Sequence, residues 1–330
     1  MDMVPSAGPA SVAMESIPDK VFVENFSAPM LRSAQNSDGG WGFHPGGSSR
    51  VESTCWALKA LMSLESADTN DDHAITRALN FVTAAQLPDG SWPSVSEEKT
   101  GCWVTALACW VLAGAREEKY SQVITSGLTW ICDDWPRDSG WWQRTLRRLS
   151  STRQHAKYND AARGWGWTPG TSSWVEPTAF ALLALENQPG SQLPASAQKR
   201  RRLGETLLYD RMCPGGGWNC GNPEVYGVAG EPLVIPTTWA LLALRHYPER
   251  RENIESLAWM EKNFSSIQAP GSYALARLCL ATYGRNGIAD TASAQDFHAR
   301  NQSLGSIPVV AWMILAAANP RNWLPPGGKN

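Results

Sequence analysis

The chain has 330 residues, of which 29 are Lys or Arg and 31 are Asp or Glu, giving a formal net charge of −2. No basic footprint exists to draw in phosphates, so nucleic-acid binding is excluded. No run approaches the roughly 18 apolar residues that span a bilayer. The seven cysteines are odd in number and lack a Cys-x-x-Cys pair, which reads as reduced core thiols in a cytoplasmic protein.

In chain order, residues 1–18 are small and polar, without a basic start and an apolar run, and read as a flexible lead rather than a secretory signal. A helical pattern over about 20–36 ends in Gln35-x-x-Asp38-Gly39-Gly40-Trp41, and a far more apolar segment opens with Val51-Glu52-Ser53-Thr54-Cys55-Trp56. The pair then repeats. Ile75, Leu79 and Val82 recur at helical spacing within about 73–87, the turn is Gln86-x-x-Asp89-Gly90-Ser91-Trp92, and an apolar helix begins near Cys102. A third polar helix over about 120–133 leads to a degraded turn, Trp135-x-x-Asp138-Ser139-Gly140-Trp141. The irregular stretch from about 135 to 173 reads as an insertion, functional or mobile, carrying Arg144, Arg147, Arg148, Arg153, Lys157 and Arg163. Its apolar partner begins Val175-Glu176-Pro177-Thr178-Ala179-Phe180. The fourth polar helix (about 197–212) starts with the basic run Lys199-Arg200-Arg201-Arg202. It ends in Met212-Cys213-Pro214-Gly215-Gly216-Gly217-Trp218 and is followed by Val234-Ile235-Pro236-Thr237-Thr238-Trp239. Two further polar helices, about 251–265 and 290–302, precede apolar starts near Gly271 and Ile307.

Six helices with one charged face thus alternate with six that are apolar nearly all round. The first kind belongs outside, and the second must be buried on every side. Closing six hairpins into a ring buries every apolar helix and leaves no open end. The expected fold is therefore all-α, an (α/α)6 toroid occupying residues 19–330 as a single domain.

The Gln-x-x-Asp-Gly-x-Trp turns are similar to the QW motifs of triterpene cyclases. The hairpin pattern resembles the β-subunits of protein prenyltransferases, from about residue 20 to 320. The resemblance implies that Gln35, Trp41, Gln86 and Trp92 tie neighbouring helices together, and that the ligand is an isoprenoid. Triterpene cyclases protonate an alkene or epoxide from an Asp-x-Asp-Asp-Thr segment that opens an inner helix. The matching positions are Arg50–Thr54 and Trp174–Thr178, where Glu52 and Glu176 occupy the place of the proton-donating central Asp. The flanking Asp are replaced by Arg50 and Ser53, or by Trp174 and Pro177. Glu52 and Glu176 are therefore the candidate catalytic acids, provided burial raises their pKa. A capping role competes, because Ser49-x-x-Glu52 and Ser173-x-x-Glu176 have capping-box spacing. Against it, Pro177, Pro236 and Pro308 share one aligned position, and Pro prefers the first helical position. That reading places Glu176 just outside its helix, pointing into the mouth of the barrel.

The prenyltransferase resemblance implies Zn²⁺ held by Asp, Cys and His at inner-helix starts. The candidates Asp133, Asp134, Cys220 and His298 do not occupy those positions. Gly217-Trp218-Asn219-Cys220-Gly221 resembles the zinc site of lanthipeptide cyclases only in part. Asp133-Asp134-Trp135-Pro136-Arg137-Asp138 lacks the Asp-Asp-x-x-Asp spacing of Mg²⁺-binding synthases. No metal and no cofactor are expected. Toroidal glycosidases also place two carboxylates across a cleft, for which Glu52 and Glu176, or Glu176 and Glu231, are available.

Trp56, Trp103, Trp174, Phe180, Tyr226 and Trp239 align near the inner-helix starts and are the candidate substrate-binding residues. Aromatic faces suit a polyene and stabilise a carbocation by about 0.5–2 kcal/mol each; for each ring alone, core packing competes. Triterpene cyclases use two such barrels with a membrane-contacting surface beside the pocket, whereas one barrel fits here. A partner subunit completing the pocket and peripheral membrane contact are accordingly expected. Three functions remain open: an enzyme that protonates an isoprenoid through Glu, a non-catalytic toroid that binds an isoprenoid or a protein, and a zinc-dependent transferase or cyclase.

Overall fold

The computed structural model describes residues 19–64, 73–95, 97–136, 159, 162–186, 193–225, 227–285, 296, 299, 305–318 and 323–324. The N-terminal lead, the degraded turn beyond Pro136, most of the basic insertion, His298, Tyr226 and nearly all of the helix expected over 290–302 lie outside the described residues.

Two kinds of helix alternate. The inner ones are α3 (Val51–Ser63), α5 (Val104–Gly114), α7 (Val175–Glu186), α9 (Val234–Ala243), α11 (Pro270–Thr282) and α12 (Ile307–Ala317). The outer ones are a rod running from α1 (Asp19–Phe22) through a π turn (Val23–Ser27) into α2 (Ala28–Ser33), then α4 (His73–Ala84), α6 (Ser121–Asp133), α8 (Ala197–Asp210) and α10 (Arg251–Asn263). Composition explains the division. In α5 every residue from Val104 to Ala113 is buried, whereas α4 buries only the stripe Ala74, Ala78, Leu79 and Val82.

The inner helices pack in the order α3, α5, α7, α9, α11, α12, and α12 packs back on α3. The ring is closed. Helices α4, α6, α8 and α10 cover α3, α5, α7 and α9, while the π turn and α2 cover α12. The first outer rod thereby seals the last inner helix.

One device repeats at each Gly-rich turn. Trp41, Trp92, Trp165 and Trp218 are buried, and their indole N–H groups donate to Leu31, Val82, Ile131 and Leu208 at the ends of the preceding outer helices. Their backbone N–H groups donate to Thr54, Thr105, Thr178 and Thr237 in the first turns of the following inner helices, at 2.8–3.0 Å. The role that the sequence assigns to Trp141 in the third repeat is held by Trp165, because the insertion falls inside the turn rather than after it. A small hairpin, β1 (Glu224–Val225) with β2 (Val228–Ala229), lengthens the fourth turn.

Candidate active site

The turns and the starts of the inner helices form a crown at one end of the ring. Its loops are strapped together by backbone bonds: Trp103 N–H donates to Trp167 (3.0 Å), Val175 N–H to Cys220 (3.2 Å) and Ile307 N–H to Phe43 (2.9 Å). Each joins the start of one inner helix to the turn of the next repeat around the ring, so the amino ends of the inner helices face one mouth.

Glu52 and Glu176 lie at that mouth, each the second residue of its helix and each half-buried. Neither capping box forms. The N-cap of α3 is Arg50, with no side-chain capping bond. Ser49 instead donates to Asp38 (2.8 Å) and accepts from Asn36 within the turn, and Ser173 accepts the Gly164 N–H. The expectation that Pro177 opens its helix is also corrected. α7 begins at Val175, so Glu176 is inside the first turn and Pro177 is third. Proline is tolerated there because the first N–H groups of a helix lack intrahelical partners. Both boxes are thus out of register, since the helices are entered through Arg50 and Trp174 rather than through Ser49 and Ser173.

One helical turn further along lie Trp56 and Phe180, at (i, i+4) from Glu52 and Glu176, which is the spacing that brings side chains onto one face. Their ring centroids are 5.9 Å apart, and Trp239 packs on both, at 5.2 Å from Trp56 and 4.9 Å from Phe180. Trp110 and Trp312 extend the cluster on the other sides of Trp56, at 6.3 and 5.7 Å. Trp103, half-buried just before α5, lies 5.1 Å from Phe180 and 5.3 Å from Trp167. Four of the sequence candidates, Trp56, Trp103, Phe180 and Trp239, therefore converge beneath the glutamates. Trp174 stands apart as an exposed ring at the rim.

Burial pushes the Glu176 carboxyl up to about 7. Glu52 also rises to about 7, chiefly through burial; Arg50 opposes the rise, the charge of Glu176 adds to it, and Trp56 opposes it. Two neutral thiols flank the pair. Burial raises Cys102, and the charges of Glu98 and Glu52 add to the rise; Cys220 is likewise raised by burial and then by Glu176. Among the described residues no three His, Cys, Asp or Glu side chains come together to hold a metal ion.

No protein-family model matches the chain. It is 24% identical over 269 residues to a drimenyl diphosphate synthase of Streptomyces showdoensis, covering 72% of this chain and 49% of that protein. A drimenyl diphosphate synthase of Streptantibioticus cattleyicolor is 47% identical over 64 residues, 19% of this chain and 11% of that one. The type II terpene cyclase MstE from Scytonema superposes with a TM-score of 0.57 at 13% identity, over 91% of this chain and 97% of that chain. The chain shares the α/α toroid fold of that cyclase. A glycosidase variant shares the ring at a TM-score of 0.56 and 11% identity, over 93% of this chain and 98% of that chain, so the toroid alone does not select a chemistry. The toroid spans about half the length of the Streptomyces showdoensis enzyme.

Sequence reasoning missed Trp165 and Arg200. Fully buried, Arg200 lies 3.9 Å from the Trp165 ring and 4.2 Å from the Trp135 ring, and it donates to the carbonyls of Asp134 (2.8 Å) and Gly164 (3.2 Å). It is a packed internal residue, not part of a basic surface. The signal for Trp165 was present: threonine follows the clamp tryptophan by 13 positions at Trp41, Trp92 and Trp165 alike.

Proposed function

We propose that the chain is an isoprenoid cyclase that begins its reaction by protonating a carbon–carbon double bond from Glu176, with no metal required. The observation that carries this reading is the pair of half-buried carboxyls, on α3 and α7, each one helical turn from a ring of a shared aromatic cluster. Burial keeps such an acid neutral until an alkene is presented, and nearby ring faces stabilise the cation that protonation creates. The similarity to drimenyl diphosphate synthases, and to a cyclase variant described with geranylgeranyl dihydroxybenzoate as substrate, supports a polyprenyl substrate. In this reading the substrate meets Trp103, the half-buried ring of the cluster, which packs on Phe180, while Trp56 and Trp239 are buried beneath it.

The second wall comes from a partner subunit in this reading. Trp174, Val228 and Leu233 are 38%, 70% and 48% exposed on the crown segments before α7 and α9, which meet where Val175 N–H donates to Cys220. They offer an apolar surface for that subunit or for peripheral contact with a membrane. No helix among the described residues is long and apolar enough to cross one.

Incubation of the purified protein with squalene, farnesyl diphosphate and geranylgeranyl diphosphate, with and without EDTA, tests the proposal by product analysis. A cyclic product insensitive to EDTA is expected, and Glu176→Gln should lower turnover by about 10²–10⁴-fold. Full turnover in that variant removes Glu176 as the donor. Tight binding without conversion favours a non-catalytic toroid, and an EDTA-sensitive product favours the zinc-dependent reading.

A further inference from the structure

Converting a polyene to a cyclic alkene adds a proton at one carbon and removes one from another, so the reaction needs a base as well as an acid. The segments bearing Glu52 and Glu176 are equivalent copies held by the same Thr clamp, and a position-by-position comparison separates their surroundings. Two residues before the glutamate, α3 has Arg50, its guanidinium seated 5.1 Å from the Phe43 ring. The α7 copy has Trp174 there. Four residues after the glutamate, α3 has Trp56 with an indole N–H able to donate to an anion, whereas α7 has Phe180 with no donor. Burial acts on both carboxyls, and the charge of Glu176 raises Glu52. The two substituted neighbours, Arg50 and Trp56, nevertheless both favour a carboxylate at 52 and have no counterpart at 176. Paired groups with diverging environments mark base and acid.

Resting on the cyclase reading above, we propose that Glu52 is the base that terminates the reaction that Glu176 initiates. In the first step the O–H bond of Glu176 breaks and a C–H bond forms at the attacked alkene carbon, leaving a carboxylate and a carbocation. After ring closure a C–H bond beside the final cationic carbon breaks. Its electron pair becomes the new double bond, and its proton goes to Glu52. Transfer of that proton from Glu52 to Glu176 across the mouth restores the starting state, so substrate and product are isomers and no co-reactant is consumed. Besides the partner carboxyl, the charged group acting on Glu52 is Arg50. The neighbouring thiols Cys102 and Cys220, raised by burial and by Glu52 and Glu176 respectively, stay neutral near pH 7.

The test compares wild type, Glu176→Gln, Glu52→Gln and Glu52→Asp on the polyprenyl substrate that wild type converts, in H2O and D2O, with thermal melts to confirm folding. Because a carboxyl proton at the half-open mouth exchanges with solvent between turnovers, wild type should give an alkene carrying one deuterium from D2O. Glu176→Gln should lower conversion by about 10²–10⁴-fold. Glu52→Gln should still consume substrate while alkene formation falls about 10²-fold, with a water-captured alcohol in its place, and Glu52→Asp should restore the alkene. An unchanged alkene yield in Glu52→Gln overturns the assignment, as does a loss of consumption equal to that of Glu176→Gln. No conversion by wild type removes the cyclase reading and this assignment together; wild-type conversion with either contrary result removes the assignment alone.

Discussion

A glutamate at the head of a helix is ordinarily explained by its own backbone. At residues 52 and 176 the capping-box explanation fails because the helices begin at Val51 and Val175, one residue too late for Ser49 and Ser173 to be the caps. The thr clamp beside each glutamate is legible as a conserved spacing within the chain only once Trp165 is recognised; which hydroxyl meets which partner is decided by contacts 11 to 13 residues away. At the opposite end of the ring from the mouth, Lys59 of α3 is buried with its ammonium 4.1 Å from the Trp110 ring. Burial lowers its pKa to about 7, and Arg245 and Arg116 act in the same direction. Because its folded pKa lies below the unfolded value near 10.5, the cost of holding Lys59 is complete below about pH 7 and fades as pH rises toward 10.5. Lys59→Met should therefore stabilise the protein at pH 7 by on the order of 1 kcal/mol after loss of the ring contact. Denaturant unfolding should show that gain shrinking by pH 10.

Between elements, each turn is fastened to the next outer helix by different chemistry. Gln35 donates to Gly39 and to Ala74 of α4, and Gln86 donates to Gly90 and to Val123 of α6, at 2.8–2.9 Å. In the third repeat Trp135 stands two residues past its helix, where the glutamines stand in theirs, and Arg200 of α8 supplies the bond from the other side. In the fourth, Ser256 of α10 accepts the Gly217 N–H. The first two fastenings could be read from the motif; the others could not, because the fastening side chain, the donor Arg200 or the acceptor Ser256, is contributed by a helix far along the chain. Gln86→Ala should cost about 1–2 kcal/mol. Gly90→Ala should cost more, since its φ is +89° and a Cβ would come within 2.7 Å of the Ser126 carbonyl oxygen of the next outer helix. Chemical denaturation of the two variants checks the order.

Across the whole molecule, the number of inner helices and the closure of the ring were legible because alternation of amphipathic and wholly apolar helices has few other solutions. The length of the third turn was not, since an insertion leaves no periodicity to follow. The two carboxyls also shape the stability of the entire fold. Their folded pKa values, near 7, lie above the unfolded value of 4.5, so their contribution is complete below about pH 4.5 and is lost as pH rises through 7. The slope should be at most about 1.4 kcal/mol per pH unit for each proton. Replacing both by Gln should flatten unfolding free energy between pH 5 and 7, and an unchanged slope would place their burial in doubt.

The crown also has an electrical consequence. Inner helices that all begin at one mouth add their peptide dipoles in register, each bringing about half a positive charge to the rim and half a negative charge to the far end. A cation born beneath Glu176 would thus start at the repelling pole and find its electrostatic descent along the axis, so the ring's polarity favours propagation of positive charge inward over its escape to solvent.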